Sequence, residues 1–120
     1  MPRPRTKTSL HLRLDFSGER SLGPGKVRLL ELIDETGSIS AAGRALKMSY
    51  RQAWLLIDEL NRMFREPLVA SQIGGGGGGG GGAALTKAGA NVIRLYRDME
   101  RRATGASSTD IRTLKRLLAS

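Results

Sequence analysis

A mainly helical α+β domain is the fold class that the sequence predicts, and three patterns predict it. Apolar residues recur at helical spacing in several segments of the chain. One N-terminal segment instead alternates apolar and polar residues, which is the period of a half-buried strand. Between residues 38 and 64 a short helical segment, a tight turn and a longer helical segment follow one another, which is the order of a helix-turn-helix. The 120 residues suffice for one hydrophobic core, and we expect one globular domain.

The N-terminal part is predicted to be an arm followed by a strand. Residues 1–8 are rich in Pro, Arg and Thr and contain no acidic residue, which is typical of a disordered basic arm. The alternating segment comes next, and its apolar residues are Leu10, Leu12, Leu14 and Phe16. The single histidine, His11, falls on the polar side of this strand, so we expect it to be a surface residue and not a ligand.

Two helices are expected before the tight turn. The first spans about 24–35, because its initial proline suits a first helical turn and Gly37 suits the position after a helix end. A short second helix covers roughly 40–46, and Ser38 or Ser40 caps it. Its residues are mostly small, so it can pack closely against a neighbouring helix.

A long third helix is expected over about 49–64. Ser49 is its cap, and Pro67 stops it. The large residues predicted to lie in the core from this helix are Trp54, Leu56, Leu60 and Phe64.

A glycine run is expected to join two strands, over 67–73 and 83–85. Nine consecutive glycines, from Gly74 through Gly78 to Gly82, lack the Gly-Lys-Ser/Thr ending of a phosphate-binding loop. We interpret them as the flexible tip of a hairpin, mobile in the free protein, because ordered glycines lose much conformational entropy.

The C-terminal part is predicted to contain two helices. The first begins at the cap Thr86 and ends near 102, a hinge covers 105–108, and an amphipathic helix follows. The predicted organisation is a basic arm over 1–8, a DNA-binding domain over 9–103, and a C-terminal helix over 104–120 that serves dimerisation.

The charge of the chain predicts an anionic partner. Twenty Lys and Arg face 11 Asp and Glu, which gives a net charge of +9. Nucleic acid is the first expectation and an anionic membrane the second. Without cysteine the chain can form neither a disulfide framework nor a thiolate metal site. With a single histidine and no paired carboxylates beside a base, no catalytic site is recognised. We therefore expect no enzyme and no small-molecule substrate. No spanning segment or secretory signal is recognised, so the cytoplasm, or a nucleus where there is one, is the expected location.

The predicted helix-turn-helix supplies candidate DNA contacts. In this motif the second helix lies in the major groove, with its first turns facing base edges. Arg51 can pair with guanine and Gln52 with adenine, and Tyr50 can contact a thymine methyl or a phosphate. The further candidates for DNA contact, mainly to phosphates, are Ser38, Ser40, Lys47, Ser49, Thr86 and Lys87.

The motifs together resemble a known family. The chain is similar to the N-terminal DNA-binding domain of the ModE-type molybdenum-responsive transcription regulators, which are related to LysR-type regulators. The segments that carry the resemblance are Gly37–Ser40, Ser49–Trp54, Glu59–Asn61, the glycine hairpin, and Leu85–Thr86 with Gly89. The resemblance implies a winged helix-turn-helix fold, a dimer, and operator binding as repressor or activator.

Three departures from the family pattern stand out. Lys47 occupies a turn position where the family usually has glycine, and a left-handed Lys47 would cost roughly 1–2 kcal/mol. Ser71, Gln72 and glycines replace the basic residues that the wing usually carries. We also expect no effector-binding domain and no molybdate site in this chain, and hence no cofactor.

The leading hypothesis is a sequence-specific duplex-DNA-binding regulator that acts as a homodimer through helix 49–64 and the glycine-rich wing. Its dimer contacts are expected in the N-terminal strand region and in the C-terminal helices, through Leu114, Leu117 and Leu118. One alternative is a non-specific, basic nucleic-acid-binding protein of an architectural kind. Another is a single-domain partner that modulates a full-length regulator by heterodimerisation.

Overall fold

The computed structural model describes residues 7–72 and 82–119. Within these ranges five helices dominate, and four short strands form two antiparallel pairs. In chain order the elements are β1 (Leu14–Asp15), β2 (Ser21–Leu22), α1 (Pro24–Thr36), α2 (Ile39–Ala45), α3 (Tyr50–Met63), β3 (Val69–Gln72), β4 (Gly82–Leu85), α4 (Lys87–Ala106) and α5 (Ser108–Leu117). The predicted mainly helical α+β class is confirmed.

Helix α1 forms the centre of the hydrophobic core. Its side chains Val27, Leu30 and Ile33 are fully buried, because they repeat at helical spacing along one face. Pro24 stands in its first turn, and Gly37 ends it in the left-handed conformation (φ 70°) while its N–H donates to the Ile33 carbonyl at 2.8 Å. Both predicted boundary signals are confirmed.

Side-chain caps begin the next helices where the sequence predicted them. Ser38 caps α2, and its hydroxyl accepts from the Ala41 N–H at 3.0 Å, so Ser38 rather than Ser40 is the cap. Ser49 and Thr86 cap α3 and α4 in the same way, each accepting from a backbone N–H three residues further on.

The N-terminal strand is shorter than its alternating pattern indicates. Leu10, Leu12 and Leu14 are half-buried and their neighbours are exposed, so the period is correct. Only β1 carries strand hydrogen bonding, and it pairs with β2, which the sequence analysis did not predict. Phe16 is exposed because the chain turns back at this point, where its N–H donates to the Arg20 carbonyl.

The backbone of Leu68 is where three elements meet. Its N–H donates to Oδ1 of Asn61 in α3 at 2.8 Å, and its carbonyl accepts from the Thr86 N–H at 3.0 Å. Gly89 in α4 passes so close that an added Cβ would lie 2.3 Å from the Leu68 carbonyl oxygen. The strand β3 is thereby held between α3 and the start of α4.

An ion-pair cluster joins α1 to α4. Arg97 donates to both oxygens of Glu31, at 3.0 and 2.9 Å, and to Glu100 at 2.7 Å. The hydrogen bond from Arg97 lowers the pKa of Glu31, although desolvation opposes it, and the same bond raises the pKa of Arg97. The adjacent Tyr96 is buried, and its hydroxyl donates to the Leu12 carbonyl at 2.6 Å. This arginine side chain therefore bridges α1 and α4.

The predicted hinge at 105–108 is largely helical. Helix α4 continues through Gly105 to Ala106, and Ser107 alone separates it from α5. One exposed glycine costs a helix only about 1 kcal/mol, which a 20-residue helix tolerates. The boundary expected at 103/104 therefore falls inside α4, and the division into functional parts stays a prediction. None of the helices in the described ranges is long and apolar enough to cross a membrane.

We expect two glycines of α4 to respond oppositely to a methyl group. Gly89→Ala should lower the free energy of unfolding by at least about 2 kcal/mol, because the new Cβ meets backbone that cannot yield cheaply. Gly105→Ala, at a position with nothing within 4 Å, should raise it by about 0.5–1 kcal/mol. Urea unfolding followed by circular dichroism measures both, and equal changes at the two positions would contradict the close approach at Leu68.

Candidate nucleic-acid interface

The rotation of α3 about its own axis is fixed by a buried stripe. Ala53, Ile57 and Leu60 are buried against the core. With 3.6 residues per turn, the residues on the remaining sides of the helix face away from the core. The exposed residues of α3, which form its outer face, are Tyr50, Arg51, Gln52, Trp54, Leu55, Asp58, Glu59 and Arg62.

The turn between α2 and α3 is closely packed. A Cβ added at Gly43 would lie 3.0 Å from the Ala53 Cβ, so the two helices approach as the small residues of α2 predicted. The Gly43 carbonyl accepts from the N–H groups of Leu46 and Met48, both at 3.0 Å. Lys47 in this turn has φ 59°, the left-handed conformation that the glycine of the resembled family would adopt without strain.

The predicted contact residues at the start of α3 lie together and exposed. The hydroxyl of Ser49 is engaged in capping the Gln52 N–H at 3.0 Å. The side chains of Lys47 and Arg51 make no hydrogen bond or ion pair to any residue within 7–72 or 82–119. Two unpaired cations thus flank the first turn of this helix.

Trp54 does not lie in the core, contrary to the sequence prediction. Its side chain is 40% exposed and meets the Tyr50 ring edge-on, with the ring centroids 6.3 Å apart. Trp54 stands about a quarter turn from the buried stripe, so its burial depended on whether another element covers it. Leu60 is fully buried and Leu56 and Phe64 are half-buried, so the other predicted core residues of α3 do pack inward.

The serines of α2 are partly committed to local bonds. Ser38 caps the helix, and the Ser40 hydroxyl accepts from Arg44 at 2.8 Å. Arg44 is therefore tied back to its own helix. The phosphate contacts predicted for Ser38 and Ser40 stay predictions.

Thr86 and Lys87 lie away from the other predicted contact residues. They line a shallow groove with Glu66 and Pro67, beyond the C-terminal end of α3. Since α3 has 14 residues, its two ends are about 20 Å apart. The Thr86 hydroxyl donates to the Pro67 carbonyl at 2.7 Å and accepts from Gly89, whereas Lys87 is exposed and makes no ion pair within the described ranges.

The wing consists of β3, β4 and the glycines between them. Four residue pairs hold the strands in antiparallel register, from Val69–Leu85 to Gln72–Gly82. Gly82 thus begins β4, whereas Gly74 and Gly78, with the predicted mobile tip, lie outside the described residues.

Asn61 and Gly37 anchor this wing to the helices, and sequence reasoning gave neither that role. Asn61 accepts from the N–H groups of Leu68 and Val69 and donates to the Val69 carbonyl. The Gly37 carbonyl accepts from the Ala83 N–H at 3.0 Å. Asn61 belongs to one of the segments that carry the family resemblance. Its position a few residues before the predicted strand 67–73 was the only sequence signal for this anchoring role.

Charge is distributed unevenly between the helices. Arg28, Arg94, Arg97 and Arg101 all pair with carboxylates on α1 or α4. Three cations near the ends of α3 differ, because Lys47, Arg51 and Lys87 have no such partner in the parts described, whereas Arg62 within the helix pairs with Asp58. A carboxylate partner would have to be displaced before a phosphate could bind, and these three side chains require no such exchange.

This architecture, a tight helix-turn-helix followed by an anchored two-stranded hairpin, defines a winged helix-turn-helix domain of the DNA-binding regulator class. The family model described as bacterial regulatory helix-turn-helix protein, lysR family, matches residues 25–90. The chain belongs to this family.

Curated relatives confirm the resemblance to ModE-type regulators. The molybdenum transport protein ModE of Azotobacter vinelandii is 34% identical over 79% of this chain and 34% of its own length. The molybdenum-pterin-binding protein MopB of Rhodobacter capsulatus is 41% identical over 72% of this chain and 31% of its own length. The transcriptional regulator ModE of Haemophilus influenzae is 34% identical over 78% of this chain and 36% of its own length. The chain spans about a third of the length of these relatives.

A solved structure shares the fold. The crystal structure of ArgP from Mycobacterium tuberculosis superposes with a TM-score of 0.52 at 20% sequence identity, over 72% of this chain and 30% of that chain. The agreement supports the arrangement of helices and wing described above.

We expect Lys47→Gly to raise the free energy of unfolding by about 1 kcal/mol, because glycine adopts the left-handed conformation without steric cost. Lys47→Ala removes the same charge and keeps the Cβ, so it should leave stability nearly unchanged. Thermal unfolding of both variants beside the unmodified protein measures this. A gain of the same size in both would assign the effect to the charge instead of the backbone.

Proposed function

We propose that this chain binds duplex DNA in a sequence-specific way, with α3 in the major groove, and regulates transcription. The single observation that carries the proposal is the first turn of α3. There the unpaired Arg51 stands on the outer face of a helix whose opposite face is locked into the core. The names of the relatives as transcriptional regulators support the same function. The expectation that the chain contains no cofactor site stays a prediction.

The surroundings of Arg51 suit base readout. An arginine can donate two hydrogen bonds to guanine O6 and N7, and few other side chains match that pattern. Arg51 pairs with no carboxylate of residues 7–72 or 82–119, so no ion pair there has to break before it binds a base, and the Ser49 cap fixes the start of its helix. Lys47 and Lys87 lie at opposite ends of α3, and we expect them to contact phosphates on either side of the major groove.

Arg51→Ala should lower affinity for the preferred duplex by about 1–3 kcal/mol and relax the base preference at one position of each half-site. A selection from a random-sequence duplex pool with the purified protein identifies the preferred duplex, and fluorescence anisotropy with the variant measures the loss. Lys87→Ala is the matched control, because a phosphate contact should weaken binding to all duplexes alike and reduce the salt dependence.

Binding that enriches no sequence from the pool would contradict specific recognition and favour the non-specific architectural role. Loss of affinity for all sequences alike in Arg51→Ala would assign this side chain to a phosphate.

We further propose that α5 forms the dimer interface. This helix contributes no buried residue to the described part of the domain, although Leu114 and Leu117 project from it at 62% and 75% exposure. An apolar face of this kind on a short helix is stabilised by association with another apolar surface. A symmetric pair of α5 helices places two α3 helices on one duplex, with half-sites about 34–36 Å apart.

The double variant Leu114→Ser, Leu117→Ser should convert a dimer to a monomer without unfolding the domain, because neither side chain is part of its core. Sedimentation equilibrium measures the mass, and Leu55→Ser, an exposed leucine on α3, is the control that should stay dimeric. A monomeric unmodified protein would exclude the homodimer, and a stable complex with a full-length regulator would then favour the heterodimer alternative.

A further inference from the structure

We propose that Trp54 and Leu55 read thymine methyl groups, so that the preferred duplex presents thymines beside the guanine contacted by Arg51. The inference rests on the proposed function, since it names the bases that the outer face of α3 recognises. It adds an apolar readout to the polar one that the sequence motif indicates.

The two side chains are exposed on the part of α3 that we propose to enter the major groove. Trp54 is 40% and Leu55 is 57% exposed, and they follow Tyr50 and Arg51 by one helical turn on the same outer face. The edge-on contact between the rings of Tyr50 and Trp54, with planes at 78°, restrains both aromatic side chains before any partner arrives. Trp54 and Leu55 therefore present an exposed apolar pair in the second turn of α3, directly after the polar residues Arg51 and Gln52.

The chemistry of these side chains selects one kind of base edge. Leu55 has no polar atom, and the indole of Trp54 has a donor and no acceptor. Neither can accept a hydrogen bond from the amino group of adenine or cytosine, so contact there would leave a donor unpaired. The C5-methyl group of thymine is the apolar group that the major groove offers, and burying it against these side chains is favourable.

The next turn of the helix limits the length of this apolar surface. Asp58 forms an ion pair with Arg62, with 3.1 Å between Oδ2 and Nε. The Asp58 carboxylate would be repelled by DNA phosphates. Base recognition therefore involves the N-terminal half of α3, and the recognised thymines fall within a few base pairs of the guanine that Arg51 contacts.

Duplex DNA suits this surface better than a second protein does. The apolar pair is continuous with the unpaired cations Lys47 and Arg51, and the chain carries a net charge of +9. An apolar protein partner would have to leave these cations desolvated, whereas a duplex supplies methyl groups and phosphates together.

The test replaces thymine with uracil, which differs only in lacking the methyl group. The protein selects duplexes from one random pool, and the enriched duplex is remade with deoxyuridine at each thymine in turn. At one or more positions next to the selected guanine, uracil should weaken binding about 4-fold, the effect of losing one buried methyl group. Unchanged affinity at every position would overturn the proposal and leave the proposed function intact, whereas failure to enrich any duplex would overturn both.

A double-mutant cycle assigns the methyl contact to a side chain. Leu55→Ala should bind the thymine duplex several-fold more weakly, and uracil should cost this variant nothing further at the position that Leu55 contacts. Leu95→Ala, an exposed leucine of α4, is the matched control and should keep the full uracil effect. Independent, multiplicative losses for both Leu55→Ala and Trp54→Ala would contradict direct contact.

Trp54 gives a direct optical readout, because it is the only tryptophan in the chain. Its emission should shift to the blue when the thymine duplex binds, since the ring leaves water, and the shift should be smaller with the uracil duplex. An unchanged spectrum at saturating duplex would overturn the assignment of Trp54. A second result would also overturn it. If Trp54→Ala changed the oligomeric state and left DNA affinity unchanged, the exposed face around Trp54 would be a protein contact.

Discussion

The geometry of the domain depends on the backbone of Leu68. Its N–H is held by Asn61 of α3, its carbonyl accepts from Thr86, and Gly89 of α4 packs against that same carbonyl. Its side chain is fully buried, so hydrophobic burial and backbone pairing act on one residue. Because only a glycine allows α4 to approach this closely, the contacts of this one residue position the wing, α3 and the C-terminal helices relative to one another.

This arrangement explains how the wing and the outer face of α3 are held in a fixed relation. Asn61 ties the base of the wing to the end of α3, and Gly37 ties its second strand to the end of α1. The buried stripe of α3 then sets which side chains face outward, while the ion pairs of Glu31 and Arg97 hold α4 against α1. Binding to a duplex consequently requires little ordering of the scaffold, which lowers the entropic cost of association.

Features that depend on neighbouring residues were predictable from the sequence, whereas features that depend on tertiary packing were not. The caps Ser38, Ser49 and Thr86 and the left-handed Gly37 act within a few residues of themselves, so spacing sufficed to place them. Trp54 was assigned wrongly because a residue at the edge of a helical stripe is buried only if another element covers it. The contacts of Asn61 and Arg97 span two or more elements, and no periodic pattern encodes such partners.

The outer face of α3 contributes no fully buried side chain to the core, and that has a consequence for how such domains diversify. Substitutions at exposed positions away from caps and networks change stability by only about half a kcal/mol. The scaffold is maintained by Leu68, Asn61 and Gly89, whereas the base preference that we propose rests on Arg51, Trp54 and Leu55, so the two sets can vary independently. A new target sequence is then accessible through a few replacements on one helix, which makes the domain a suitable starting framework for reprogrammed DNA recognition.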